Sequence, residues 1–252
     1  MTHHVKLTHW RFLSFLTAQF LGAFNDNAFK LVVSMASLTV ILDPAKQQSY
    51  LAMTSALAIL PFLLFSATAG QLTDKYDKTL MIRFVKNLEI AIMAIAAYGF
   101  VSNNVAVLLL CTFLMGVHST LFGPVKFALL PQVLNERELT GGNGMVEMGT
   151  FVAILMGNVV GGLLVAIPGI GHETVAVACL VMAVVGRVVA GYIPKAPATD
   201  PGLKINWNPI SETLRNLKLA HGNLVVFRSL LGISWMWFFG AVFLSQFPSL
   251  AK

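Results

Sequence analysis

Asn25, Asp26 and Asn27 interrupt an apolar stretch that runs from about residue 12 to 42, and Lys30 follows Asp26 by four positions. On a helix Asp26 and Lys30 share one face, so they can neutralise each other. Ionisable groups deep inside an apolar helix cost several kcal/mol unless paired or hydrated, and they usually face an interior pathway. Three adjacent polar side chains point in different directions, which implies a hydrated cavity. The plain alternative is an internal ion pair that only holds the helix.

Other charges also need a reason. Lys126 follows Gly123-Pro124 near the end of one apolar run, and Arg228 opens another. Either can simply snorkel to an interface. Glu147 follows Gly141-Gly142-Asn143-Gly144, which reads as a flexible opening into an apolar helix. Glu89 is a further candidate with no clear partner, and Arg187 reads as a snorkelling residue. There is no P-loop and no HExxH, and none of the six histidines has an aspartate five residues on, as an acyltransferase His-x4-Asp pattern requires. Cys111 and Cys179 lie inside apolar runs without CxxC spacing, so neither a disulfide frame nor a zinc site is indicated. No cofactor is implied, and enzymatic chemistry has nowhere to sit.

The elements that must position these residues follow from composition. Of 252 residues, 56% are hydrophobic and 11% charged, with a mean hydropathy of +0.75. Soluble domains carry about 25% charged residues. An ordinary cytosolic enzyme, a disordered chain and a nucleic-acid binder are excluded. The net charge of +6 suggests a polyanion partner only until the basic residues are placed, because they fall in connections on one side. The composition is that of a polytopic, all-α membrane protein.

A crossing helix needs about 20 mostly apolar residues. Seven stretches qualify: 12–42, 50–69, 80–101, 105–130, 140–167, 172–193 and 229–250. The first is too long, and too polar at mid-depth, for a signal peptide. Lys6, Arg11, Lys75, Lys78, Arg83, Lys86, Lys126, Arg137, Lys195, Lys204, Arg215, Lys218 and Arg228 lie in or beside connections on one side. The other side has little besides Lys46. That asymmetry places the N-terminus in the cytoplasm. Three parts follow: a six-helix bundle over 1–193, a cytoplasmic linker over 194–228, and a seventh span over 229–252. In the linker Asn208 caps a helix, Pro209 opens it and Gly222 ends it. Ile210, Leu214 and Leu217 then form one apolar face, as in a helix lying on a membrane surface. Gly157-x-x-x-Gly161-Gly162 reads as a small-residue helix contact.

Residues 70–79 read Gly-Gln-Leu-Thr-Asp-Lys-Tyr-Asp-Lys-Thr and form a loop between spans two and three. This resembles the major facilitator superfamily signature G-x-x-x-D-[RK]-x-G-[RK]-[RK], which occupies the same loop. Gly70, Asp74, Lys75 and Lys78 match, whereas Asp77 replaces the second glycine and Thr79 the last basic residue. In that family the loop acts as a latch between two bundles, so the resemblance implies a gating role for Gly70, Asp74 and Lys75. It also implies the fold: the N-terminal six-helix bundle of a major facilitator, plus the first helix of the second bundle.

Four further segments are Gln19–Ala28, Gly123–Phe127, Gly142–Glu147 and Arg228–Trp235. Together they are similar to the bacterial lysophospholipid transporters, including versions fused ahead of acyltransferase and acyl-carrier-protein ligase domains. The resemblance implies flipping of lysophosphatidylethanolamine or lysophosphatidylglycerol to the inner leaflet of the bacterial inner membrane, for re-acylation. By position, Asp26 and Asn27 line a central cavity, Lys126 meets the substrate phosphate, Glu147 adds to the polar lining, and Arg228 pairs with Asp26. Such transporters have a second bundle, so the chain reads as the N-terminal portion of a longer protein.

Two other readings compete. One is a facilitator for another amphipathic or drug-like solute, with Asp26 as a proton-coupling carboxylate. The other is a non-transporting membrane module that scaffolds a phospholipid acyltransferase. A seven-helix receptor fits poorly, because of the long linker and the 70–79 segment.

Overall fold

In hydrocarbon, a backbone must satisfy its own N–H and C=O groups, which a helix does within one segment. The computed structural model describes residues 7, 9–40, 43–167 and 171–250, and over these it forms helices and no strand. Lys6 lies outside the described residues. The elements are α1 (Trp10–Val40), α2 (Pro44–Lys75), α3 (Lys78–Val101), α4 (Val105–Val133), α5 (Glu136–Ala166), α6 (His172–Ala190), α7 (Pro209–His221) and α8 (Leu224–Leu250). Short polar residues set the starts. Asp43, Asp77, Asn104, Asn135 and Asn208 each accept a first-turn backbone N–H.

Several boundaries differ from those read from the sequence. α2 continues to Lys75, because Gln71 and Thr73 are buried and Thr73 bonds back to the Ala69 carbonyl. The connection to α3 is therefore only Tyr76 and Asp77, not a loop over 70–79. α5 begins at Glu136, so Gly141–Gly144 is helical rather than a flexible opening. Gly142 instead gives close approach, since a Cβ there would collide with the Leu134 side chain. α8 begins at Leu224, which puts Arg228 inside its second turn.

Four helices, Ala45–Lys75, Val105–Val133, Glu136–Ala166 and His172–Ala190, are each long and apolar enough to cross a membrane. α7 and Leu224–Gly240 pass the same test as a pair, bent by 119°.

The chain divides into two compact units, Met1–Ile205 and Asn206–Lys252. In the first, α1 packs against α5 and α6, α3 against α4 and α6, and α2 against α4. Two apolar clusters form. Phe12, Phe15, Ile82, Leu129 and Ala190 belong to one; Phe29, Val32, Ile92, Met115 and Ala183 belong to the other. On α1, α3 and α4 the polar residues fall between these clusters, so a polar layer crosses an otherwise apolar bundle. In the second unit Asn208 accepts from Ile210 N and Ser211 N, and Gly222 ends α7. Ile210, Leu214 and Leu217 are exposed, as are most described side chains of α8.

Candidate functional site

α1 is held against α5 by the absence of side chains. A Cβ on Gly157 would stand 2.5 Å from the Phe24 carbonyl oxygen, and one on Gly161 3.2 Å from Ala28 Cα. Close backbone approach of this kind is what small-residue helix contacts permit. It sets the turn that carries Asn25, Asp26 and Asn27, and Gln19 ties the same pair of helices by donating to Thr150 Oγ1 at 2.6 Å.

The three polar residues do point in different directions. Asp26 Oδ2 accepts from Lys30 Nζ at 2.7 Å. Its Oδ1 is buried without a hydrogen-bond partner among the described residues. Asn27 donates to the Ala23 carbonyl of its own helix. Asn25 is fully buried and donates to Glu89 Oε1 at 2.8 Å.

Asp26, Asn27 and Lys126 share the wall of one cavity of about 230 Å³, together with Gln19, Phe122 and Thr150. Lys126 Nζ lies 3.7 Å from Glu147 Oε1 and 4.6 Å from the Phe127 ring centroid. Glu147 stands beside Lys126 and is not part of the wall. Arg228 is exposed on α8, in the second unit.

Sequence reasoning missed a buried pairing of charges inside the bundle. Lys86 Nζ meets Glu89 Oε2 at 2.8 Å, with each side chain 1% exposed. His118 Nε2 stands 3.4 Å from the same oxygen. By sequence alone Lys86 reads as a loop cation and Glu89 as a charge without a partner. A Lys-x-x-Glu spacing on an apolar helix was the available signal, since i and i+3 share a face. Lys86 and His118 also line the cavity. Arg187, expected to snorkel, donates to Asn87 Oδ1.

Gly70 lies inside α2, and a Cβ there would meet nothing within 4 Å. Asp74 is exposed, and its carbonyl accepts from Thr199 N and Asp200 N, both at 2.9 Å. Both departures from the signature have structural work. Asp77 caps α3 by accepting from Leu80 N, and buried Thr79 donates to the Pro194 carbonyl at 2.6 Å. Lys78, also buried, donates to Thr199 Oγ1 and the Pro197 carbonyl. Burial lowers the pKa of its ammonium, while Asp74 and Asp77 pull it back up.

The sequence matches the Major Facilitator Superfamily over residues 15–251. It is 34% identical over 202 residues to the lysophospholipid transporter LplT of Escherichia coli O7:K1, covering 79% of this chain and 46% of that one. The LplT of Escherichia fergusonii is 33% identical over 199 residues, with the same coverage. The chain thus spans about half the length of these curated relatives. Its fold is similar to that of a peptide transporter, POT, crystallised with sulfate. The TM-score is 0.56 at 17% identity, over 88% of this chain and 45% of that one. Helices long and apolar enough to cross a membrane and a match over nearly the whole sequence lead to one conclusion: this is a multi-pass membrane protein that belongs to the Major Facilitator Superfamily.

Proposed function

We propose that the full-length protein is a secondary transporter that flips lysophospholipids across the bacterial inner membrane by alternating access. The observation that carries this reading is the cavity wall. It combines a carboxylate with one free oxygen, at Asp26, and an ammonium, at Lys126, in an apolar bundle. A lysolipid head group offers a phosphate to the cation and, in the ethanolamine form, an ammonium to the carboxylate. The relatives named for lysophospholipid transport supply the substrate class.

In this reading Asp26, Asn27 and Lys126 bind the head group. Glu147 holds Lys126 in place, and Arg228 is a second cation required for transport. Gly70, Asp74 and Lys75, in the C-terminal part of α2, gate access, the N-terminus is cytoplasmic, and an acyltransferase, fused or associated, consumes the product. Spheroplasts producing the full-length protein in a strain lacking other lysolipid uptake should accumulate labelled lysophosphatidylethanolamine. Uptake no higher than in the empty strain defeats the proposal.

A further inference from the structure

Lys86, Glu89 and His118 have no role in the reading above, yet two of them face the same cavity. An ammonium has three N–H donors. Lys86 Nζ spends one on Glu89 Oε2, its hydrogen-bond acceptor among the described residues. Glu89 stands behind Lys86 and is absent from the cavity wall, as Glu147 is beside Lys126. The wall itself therefore presents two ammonium groups against the single carboxylate of Asp26.

His118 is 3% exposed; its Nε2 stands 3.4 Å from Glu89 Oε2, and its Nδ1 has no hydrogen-bond partner among the described residues. Buried polar atoms without partners are costly, and those that persist in a native fold call for a missing partner. Gly22 supplies the space. A Cβ there would lie 2.5 Å from Lys86 Nζ, so the ammonium fills the volume that glycine leaves open at the cavity edge.

We propose that Lys86 and His118 form a second anion-binding arm of the cavity, which with Lys126 holds a phosphate ester. Glu89 is a positioning residue: it aims the Lys86 ammonium and balances its charge without touching the ligand. The proposal rests on the lysophospholipid reading for the source of the phosphate, although its chemistry would equally suit a free phosphate ester. A Lys86–Glu89 pair with a purely structural role would be replaceable by a neutral pair of like shape without loss of ligand.

The test is binding of labelled lysophosphatidylethanolamine to the full-length protein in nanodiscs. Competitors are a monoacylglycerol with the same tail and glycerol 3-phosphate. The key variant is the double substitution Lys86→Gln with Glu89→Gln, which keeps the layer neutral. We expect it to lose about tenfold or more in lysophosphatidylethanolamine affinity, the scale of a charge-assisted hydrogen bond, while monoacylglycerol binding changes little. Gly22→Ala is the second variant. Its methyl displaces only the tip of a flexible side chain, so the fold should persist even if the double variant does not, with the same selective loss. Unchanged lysophosphatidylethanolamine affinity in either folded variant, or equal losses for both lipids, overturns the proposal and leaves the transport reading standing. Wild-type protein that binds glycerol 3-phosphate through Lys86 but no lysolipid supports the arm and sinks the lysophospholipid reading. Binding of neither by the wild type removes both.

Discussion

Lys30 Nζ holds one oxygen of Asp26 at 2.7 Å, and the other oxygen is buried with no hydrogen-bond partner among the described residues. The pair neutralises the carboxylate within α1 without exhausting it. A buried acceptor left open costs about 1–3 kcal/mol, a penalty that a bound cationic group would relieve. Half-satisfied, Asp26 can take an ammonium from a ligand or from another residue while Lys30 keeps its own hydrogen bond.

The contact beneath this site is testable through stability. Gly157→Val drives side-chain atoms into the Phe24 carbonyl and should destabilise the protein by about 1–3 kcal/mol, the usual range for overpacking. Gly144 is also helical, but a Cβ there meets nothing within 4 Å. Gly144→Ala should be neutral or stabilise by up to about 1 kcal/mol. Thermal unfolding in detergent that shows equal effects at both positions would contradict the α1–α5 contact.

In the last turn of α2, Asp74→Asn removes an exposed charge and keeps the carbonyl that Thr199 N and Asp200 N use. Membrane insertion should stay near wild type while lysolipid uptake falls well below it. Unchanged uptake would reduce the turn to a connector. Thr79→Arg restores the last basic position of the family signature but buries a charge where Thr79 is 2% exposed. It should lower stability by several kcal/mol, visible as loss of folded protein in fluorescence-detected size exclusion.

Topology gives an independent check. Reporter fusions at residues 45 and 210 should report opposite sides of the membrane, with 210 cytoplasmic. The same side for both would undo the span count and the orientation taken from the lysines and arginines.

How far the sequence was legible depended on whether the signal was local. Asn208-Pro209 and Gly222 marked α7 because caps are written in adjacent residues. Gly157 and Gly161 announced a helix contact because their spacing repeats on one face. Asp26, Asn27 and Lys126 stood out as charged or polar groups in apolar runs, and the structure brings them to one cavity. Lys86 did not, since a lysine near the end of a span looks like any loop cation. Its partner Glu89 is met by Asn25 and His118 from distant parts of the chain. The 70–79 segment misled for a related reason: its charges suggested a loop, whereas buried Gln71 and Thr73 carry α2 into it as far as Lys75.

The most direct measurement compares lysophosphatidylethanolamine uptake by full-length variants at Asp26, Lys30 and Arg228. If the open oxygen of Asp26 and the Arg228 cation work together in transport, Asp26→Ala and Arg228→Ala should each abolish uptake, and Lys30→Ala should be much milder. The swap Asp26→Arg with Arg228→Asp should then recover part of the activity, because coupled charges give non-additive effects. A severe Lys30→Ala lesion with a silent Arg228→Ala would show Asp26 to be a local helix pair and contradict its role in transport.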